Sequence, residues 1–277
     1  MIFKNRCVQD LAWVIQSPPV ISGTINDSHW LSKADCQKEY HACLDNLLQL
    51  DQQPEPLLNA LAHLKPYIIG KRFECFIRFW LEISPNFELL DSNVVLQGET
   101  QTLGEVDFFI RELSSDKTIH LEVSVKFYLG TNDLSKMHNW YGTNLRDRLD
   151  IKFNRLANHQ TQLSKKYPEL MPYSVDESWC LFKGRMFYPH EQQETQEFFA
   201  EDCSQGTWLI ADDKYNQNRF LSLNKQQWLA EIENYHGMLE PIPANLVYSR
   251  CVAEIHKDNE IRRCFFLPEK FWDGINK

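Results

Sequence analysis

The amino-acid sequence predicts an α/β fold: a mixed β-sheet with helices packed on its faces. Three observations carry this. Over residues 66–84 the apolar residues recur at helical spacing, with Phe73, Phe76, Ile77, Trp80 and Leu81 on one wide face. Over 118–129 they alternate instead, so that Ile119, Leu121, Val123, Val125, Phe127 and Leu129 share one side of a strand. The order of such segments along the chain is helices, strands, helix, strands, helix, strands, which suits neither a bundle nor a sandwich.

The elements follow in turn. Helical spacing runs over 35–50 and 55–64, separated by the break DQQPEP. The helix over 66–84 stops at Pro85, and its Glu74 stands four residues before Arg78. Strands are expected near 93–97, at 104–112 and at 118–129, and a charged helix from about 144 to 167. The second half reads as strands at SWCLFKGRMFYP, GTWLIA and RFLSLN. A short helix, NKQQWLAEIENYHG, comes next, and then a hairpin turning at HKDNE. The expected organisation is a single domain over 1–277, with a core at about 66–167 and a strand-rich extension at about 175–277.

Composition bounds the function. Of 277 residues 43% are hydrophobic and 13% aromatic, enough for a substantial core and unlike a disordered chain. A net charge of −9 argues against a surface that attracts polyanions everywhere, although not against a local basic groove. The eight cysteines show no C-x-x-C and no zinc-ligand spacing with histidine, and they read as buried hydrophobes in a reducing cytosol. Near the N-terminus Lys4 and Arg6 resemble the start of a signal peptide, but Gln9 and Asp10 interrupt the apolar run. No apolar run approaches the roughly 20 residues that span a bilayer. A cytoplasmic location is expected.

Charges inside strands point to chemistry. If the strands at 104–112 and 118–129 are neighbours, Asp107 and Glu122 meet on the face that also carries His120, Ser124, Lys126 and Tyr128. Two close carboxylates need a proton or a cation between them. A divalent metal, Mg²⁺ or Mn²⁺, accepts one or two carboxylates, keeps several waters and reaches for phosphate, and a nearby lysine steadies developing charge. The same spacing also fits a half-exposed strand whose polar face is solvated, with Lys126 as an ordinary neutralising partner.

An acid on one strand, followed on the next by Glu122 with Lys126 close behind, resembles the PD-(D/E)XK nuclease superfamily. Glu74 on the preceding helix is similar to the acidic helix residue of many members. More closely, QDLAWVIQSPP, GKRFECFIRFWLE, TLGEVDFFI, LEVSVKFYLG, RDRLDIKFNRLANHQ, KGRMFYP, GTWL and RRCFFLPEKFW resemble domain-of-unknown-function family 1853, a bacterial family, over nearly the whole chain. The superfamily resemblance implies a restriction-endonuclease-like core. It also implies Asp107 and Glu122 as metal ligands, Lys126 as the catalytic lysine and Glu74 as an outer acid. The pattern places lysine two residues after the acid, where this chain has Ser124. Lys126 lies about 6.6–6.8 Å further along the strand.

Residues 146–166 hold six Lys/Arg against Asp147 and Asp150, a local excess of +4 that leaves −13 for the rest. On a helix Arg148, Lys152, Arg155 and His159 form one stripe beside the apolar stripe Leu149, Phe153, Leu156 and Leu163. That stripe reads either as a phosphate-contacting rail or as a solvated face with pairs such as Arg146–Asp150. In nuclease-superfamily helices at this position a polar residue often faces the metal, which implies a role for Gln160. Three functions compete on this sequence: a metal-dependent nuclease, a nuclease fold that binds nucleic acid or protein without chemistry, and a protein–protein adaptor using exposed aromatics.

Overall fold

The computed structural model describes residues 3–65, 67–190, 192, 196–212 and 219–276. Asn5 accepts a hydrogen bond from the Cys7 amide and opens α1 (Arg6–Gln16). A small hairpin follows, β1 (Gly23–Ile25) and β2 (Ser28–Trp30). A capping box between Ser32 and Asp35 starts α2 (Lys33–Ala42). Cys43 then ends α2 and begins α3 (Leu44–Gln52), so the single helix expected over 35–50 is two. α4 (Glu55–Leu61) follows Pro54. α5 (Ile69–Ile83) buries Phe73, Phe76, Ile77, Trp80 and Leu81 as expected and ends just before Pro85. Pro66, the expected start of this helix, lies outside the described residues.

Three strands then run antiparallel: β3 (Phe87–Gln97), β4 (Thr102–Glu112) and β5 (Lys117–Gly130). After β6 (Trp140–Gly142) come α6 (Leu149–Asn158) and α7 (Leu163–Lys166), joined by a 3₁₀ turn at Gln160–Gln162. This crossover returns the chain as β7 (Glu177–Pro189), parallel to β5 from Ile119↔Glu177 to Leu129↔Phe187. β8 (Gln205–Ile210), β9 (Phe220–Ser222), β10 (Arg250–His256) and β11 (Asn259–Leu267) complete a mixed sheet of order β3-β4-β5-β7-β8-β11-β10-β9. The strands after residue 175 therefore extend the sheet that holds β5. Lys257 and Asp258, both at positive φ, make the expected β10–β11 turn.

The odd-numbered face of β5 packs with α1 and α5 in the largest core cluster. Its other face is covered as well. His120, Glu122 and Tyr128 are fully buried there, so the face is not the solvated one that its polar residues allow. β5 is a central strand, and the crossover helices lie over it.

Two helical expectations are corrected. Residues 143–148 are turn, not helix; Arg148 sits at the N-cap of α6, and the 3₁₀ turn interrupts the remainder before α7. In NKQQWLAEIENYHG only Lys225–Gln227 forms a 3₁₀ turn. The carbonyls a helix would use are held from outside: Arg263 donates to the oxygens of Gln227, Trp228 and Ala230, and Arg6 donates to those of Gln227, Ala230 and Glu231. Those bonds compete with the helical hydrogen-bond pattern in this segment. No described helix is long and apolar enough to cross a membrane.

Candidate functional site

β4 and β5 stay in register only as far as Phe108↔Leu121. Continuing the same register by one step would set Asp107 across from Glu122. There the strands part, and Oδ2 of Asp107 accepts the Val123 amide at 2.9 Å, taking the place of a ladder bond. The alternation assumed for β4 also fails here. Asn93 of β3 (φ 54°) stands between the pairs Val94↔Val106 and Ser92↔Phe108. Val106 and Phe109 join one apolar cluster and Phe108 the other, while Glu105 and Asp107 turn to the opening.

The opening is a cleft of about 460 Å³. α5 supplies Glu74, β4 supplies Asp107, β5 supplies Glu122 and Lys126, α6 supplies Lys152 and Arg155, and Gln160 follows α6. Three of its residues had no site role in the sequence reading: Asp147 before α6, and Lys225 and Trp228 from the C-terminal half. Five acids (Glu74, Glu105, Asp107, Glu122 and Asp147) face four bases (Lys126, Lys152, Arg155 and Lys225). Without a bound cation such a cleft has no net attraction for a polyanion.

Glu122, 1% exposed, is clamped at both oxygens. His120 Nε2 lies 2.8 Å from Oε1, and Gln160 Nε2 donates to Oε2 at 3.1 Å. His120 Nδ1 lies 3.2 Å from the Ser164 hydroxyl, which in turn meets Ser178 at 3.0 Å. This buried chain fixes the direction of Glu122. Gln160 also reaches the Glu105 carbonyl, tying the 3₁₀ turn to β4.

Burial, and then the neighbouring Glu122, push the Asp107 carboxyl up to about 8. Its Oδ1 has no hydrogen bond among the described residues. Lys152 is depressed, by burial first and then by Lys126, while Glu122 and Asp107 pull it back up. Lys126 is engaged elsewhere: its ammonium meets Asp147, whose other oxygen receives the Tyr128 hydroxyl at 3.4 Å. Glu74 lies on the cleft wall paired with Lys71 at 2.6 Å and not with Arg78, which donates to Ser92.

The expected basic stripe divides. Lys152 and Arg155 line the cleft; Arg148 is held bidentately by Asp150 at 2.6 and 2.9 Å, which also replaces the expected Arg146–Asp150 pair. His159 is exposed and leans on Gln160. Lys183 and Arg185 of β7 are buried and do not line this cleft.

Among the described residues no group of three or more His, Cys, Asp and Glu forms a ready-made metal cage. Two carboxylates, one with a free oxygen and a raised pKa, fit an ion such as Mg²⁺ or Mn²⁺ that completes its shell with water and phosphate. Sequence could not have found Asp147, Lys225 or Trp228, because only the sheet brings them together. The His120–Glu122 contact was within reach of strand periodicity.

A family model described as Domain of unknown function (DUF1853) matches residues 9–263. No curated protein and no solved structure matches the chain.

Proposed function

The chain belongs to the DUF1853 family, and from its site we propose that it is a metal-dependent phosphodiesterase acting on nucleic acid, built on a PD-(D/E)XK-like core. The observation that carries this reading is Asp107: a carboxyl raised to about 8 beside the clamped Glu122, in a cleft shared with Lys126, Lys152 and Arg155. Such a pair is a standing demand for positive charge.

A bound Mg²⁺ or Mn²⁺ would polarise the phosphate and lower the pKa of a bound water. Asp107 and Glu122 would hold it. His120 and Gln160 keep Glu122 turned to the cleft, and Glu74 adds an outer acid. Arg155 and Lys225 at the cleft edge would hold flanking phosphates. In hydrolysis the water oxygen bonds to phosphorus and the phosphorus–oxygen bond to the leaving sugar breaks. The water proton passes to solvent, and the sugar oxygen takes one back. Asp107→Ala is expected to abolish Mn²⁺-dependent cleavage of DNA or RNA without lowering the melting temperature. A wild-type protein that cleaves neither with either metal contradicts the reading.

A second reading, a nuclease fold kept for binding, is favoured by Ser124 at the usual lysine position and by Asp147 taking up Lys126. It expects nucleic-acid or protein binding that survives Glu122→Ala.

A further inference from the structure

We propose that Lys152, delivered by α6, and not Lys126 on β5, is the lysine that faces the reacting phosphate in this cleft. The inference rests on the proposed phosphodiesterase reading and moves its lysine from the strand to the helix.

Three independent features support it. The first is position on the helix. Leu149, Lys152 and Leu156 stand at i, i+3 and i+7, and Leu149 and Leu156 are fully buried. Lys152 therefore occupies the stripe by which α6 docks on the sheet, where an apolar residue belongs. A helix that needed only to pack would not place an ammonium there. The exposed positions of the same helix, including Arg155, show where an ordinary surface base sits.

The second is the state of the two ammonium groups. Lys126 is occupied by Asp147, and Asp147 is itself anchored by the Tyr128 hydroxyl. Leaving that pair would strand a half-buried carboxylate. Lys152 has neither a hydrogen bond nor an ion pair among the described residues, yet it is partly buried on the cleft wall. A partly buried cation without a partner is costly, and its natural partner is an anion that arrives from outside.

The third is what lies beside it. Asp107 and Glu122 are the acids that pull on Lys152, and all three line the same cleft. A phosphate drawn to a cation that Asp107 and Glu122 would hold would share the cleft with the Lys152 ammonium. The ammonium would donate to a non-bridging phosphate oxygen and steady the charge that builds there during attack. Ser124 on β5 then needs no lysine, because the helix that covers the strand supplies one.

The test does not depend on cleavage. The wild-type protein is treated with pyridoxal 5′-phosphate, which pairs a phosphate with an amine-reactive aldehyde. The adduct is reduced with borohydride and the modified lysine is mapped by mass spectrometry, with and without a phosphorothioate oligonucleotide as competitor. The expected result is label on Lys152 in excess over Lys126, suppressed by the oligonucleotide. Label on Lys126 instead, on neither lysine, or on Lys152 without protection would overturn the proposal. A parallel cleavage assay separates the two claims. Lys152→Met is expected to lower kcat by about 10²–10³-fold, with Mn²⁺ affinity retained, and by more than Lys126→Met does. Protected label on Lys152 in a protein that cleaves nothing would sink the hydrolase reading while leaving Lys152 as the phosphate-facing lysine.

Discussion

Replacing Asp107 by asparagine should make the metal-free protein more stable, and more so as pH rises. The carboxyl normally titrates near 3.8, and burial with Glu122 beside it moves this to about 8. A raised value in the folded state means that the folded protein binds the proton more tightly than the unfolded one. Stability is then complete below pH 3.8, falls as pH rises toward 8, and is flat above it. At pH 7 the gap is roughly three pH units, which at 1.36 kcal/mol each amounts to a ceiling of about 4 kcal/mol. Asparagine carries no charge, and its oxygen still accepts the Val123 amide, so the ladder substitute survives. The gain over wild type should therefore grow from near zero at pH 4 to about 2–4 kcal/mol at pH 7, the lower figure allowing for relaxation and water penetration. Urea unfolding in EDTA from pH 4 to 8 measures it directly. A gain that does not change with pH, or a loss of stability at pH 7, would refute the reasoning, because either means that the Asp107 carboxylate is not under electrostatic pressure.

Other substitutions probe the frame around the site. Gly184→Ala should destabilise by about 3 kcal/mol or more, because a Cβ there would lie 1.9 Å from the Lys126 carbonyl oxygen across the β5–β7 pairing; thermal unfolding reports it, and an unchanged melting temperature would show that the strands can move apart. His120→Ala leaves Glu122 with one clamp fewer and should weaken Mn²⁺ binding by about 10–100-fold, read by titration calorimetry. Arg263→Met strips the buried Glu260 of its bidentate partner, with both side chains at most 2% exposed, and removes the donor of the Trp228 carbonyl. The expected cost is about 3–5 kcal/mol, much of it recovered when Glu260→Leu is added.

Much of the frame was legible because its signals are local. The apolar face of α5, the alternation of β5 and the β10–β11 turn all follow from periodicity or turn chemistry within one segment. Helix lengths were less so. Cys43 and the Gln160 turn interrupt stretches whose apolar spacing continues through them, and the 224–237 segment keeps helical spacing while Arg6 and Arg263 take its carbonyls. Those competitors are separated from it by up to 225 residues, so no local pattern contains them. The same limit governs the site. Asp107 and Glu122 were found from strand alternation, although that alternation breaks between Val106 and Phe108 of β4, and β4 parts from β5 at the cleft. Lys126 carries the expected charge on the expected face, but Asp147, from a loop that reads as helix, engages it. Lys152 was visible as a member of a basic stripe, and only the burial of Leu149 and Leu156 shows that it points inward.

The central claim is that Asp107 and Glu122 form a metal site, and Mn²⁺ titration calorimetry tests it most directly. Wild type, Asp107→Ala and Glu122→Ala would be titrated alone and again with a phosphorothioate DNA strand that completes the coordination. Binding by wild type that both variants lose is the predicted result. No binding by wild type even with DNA present, or equal binding by all three proteins, would contradict it.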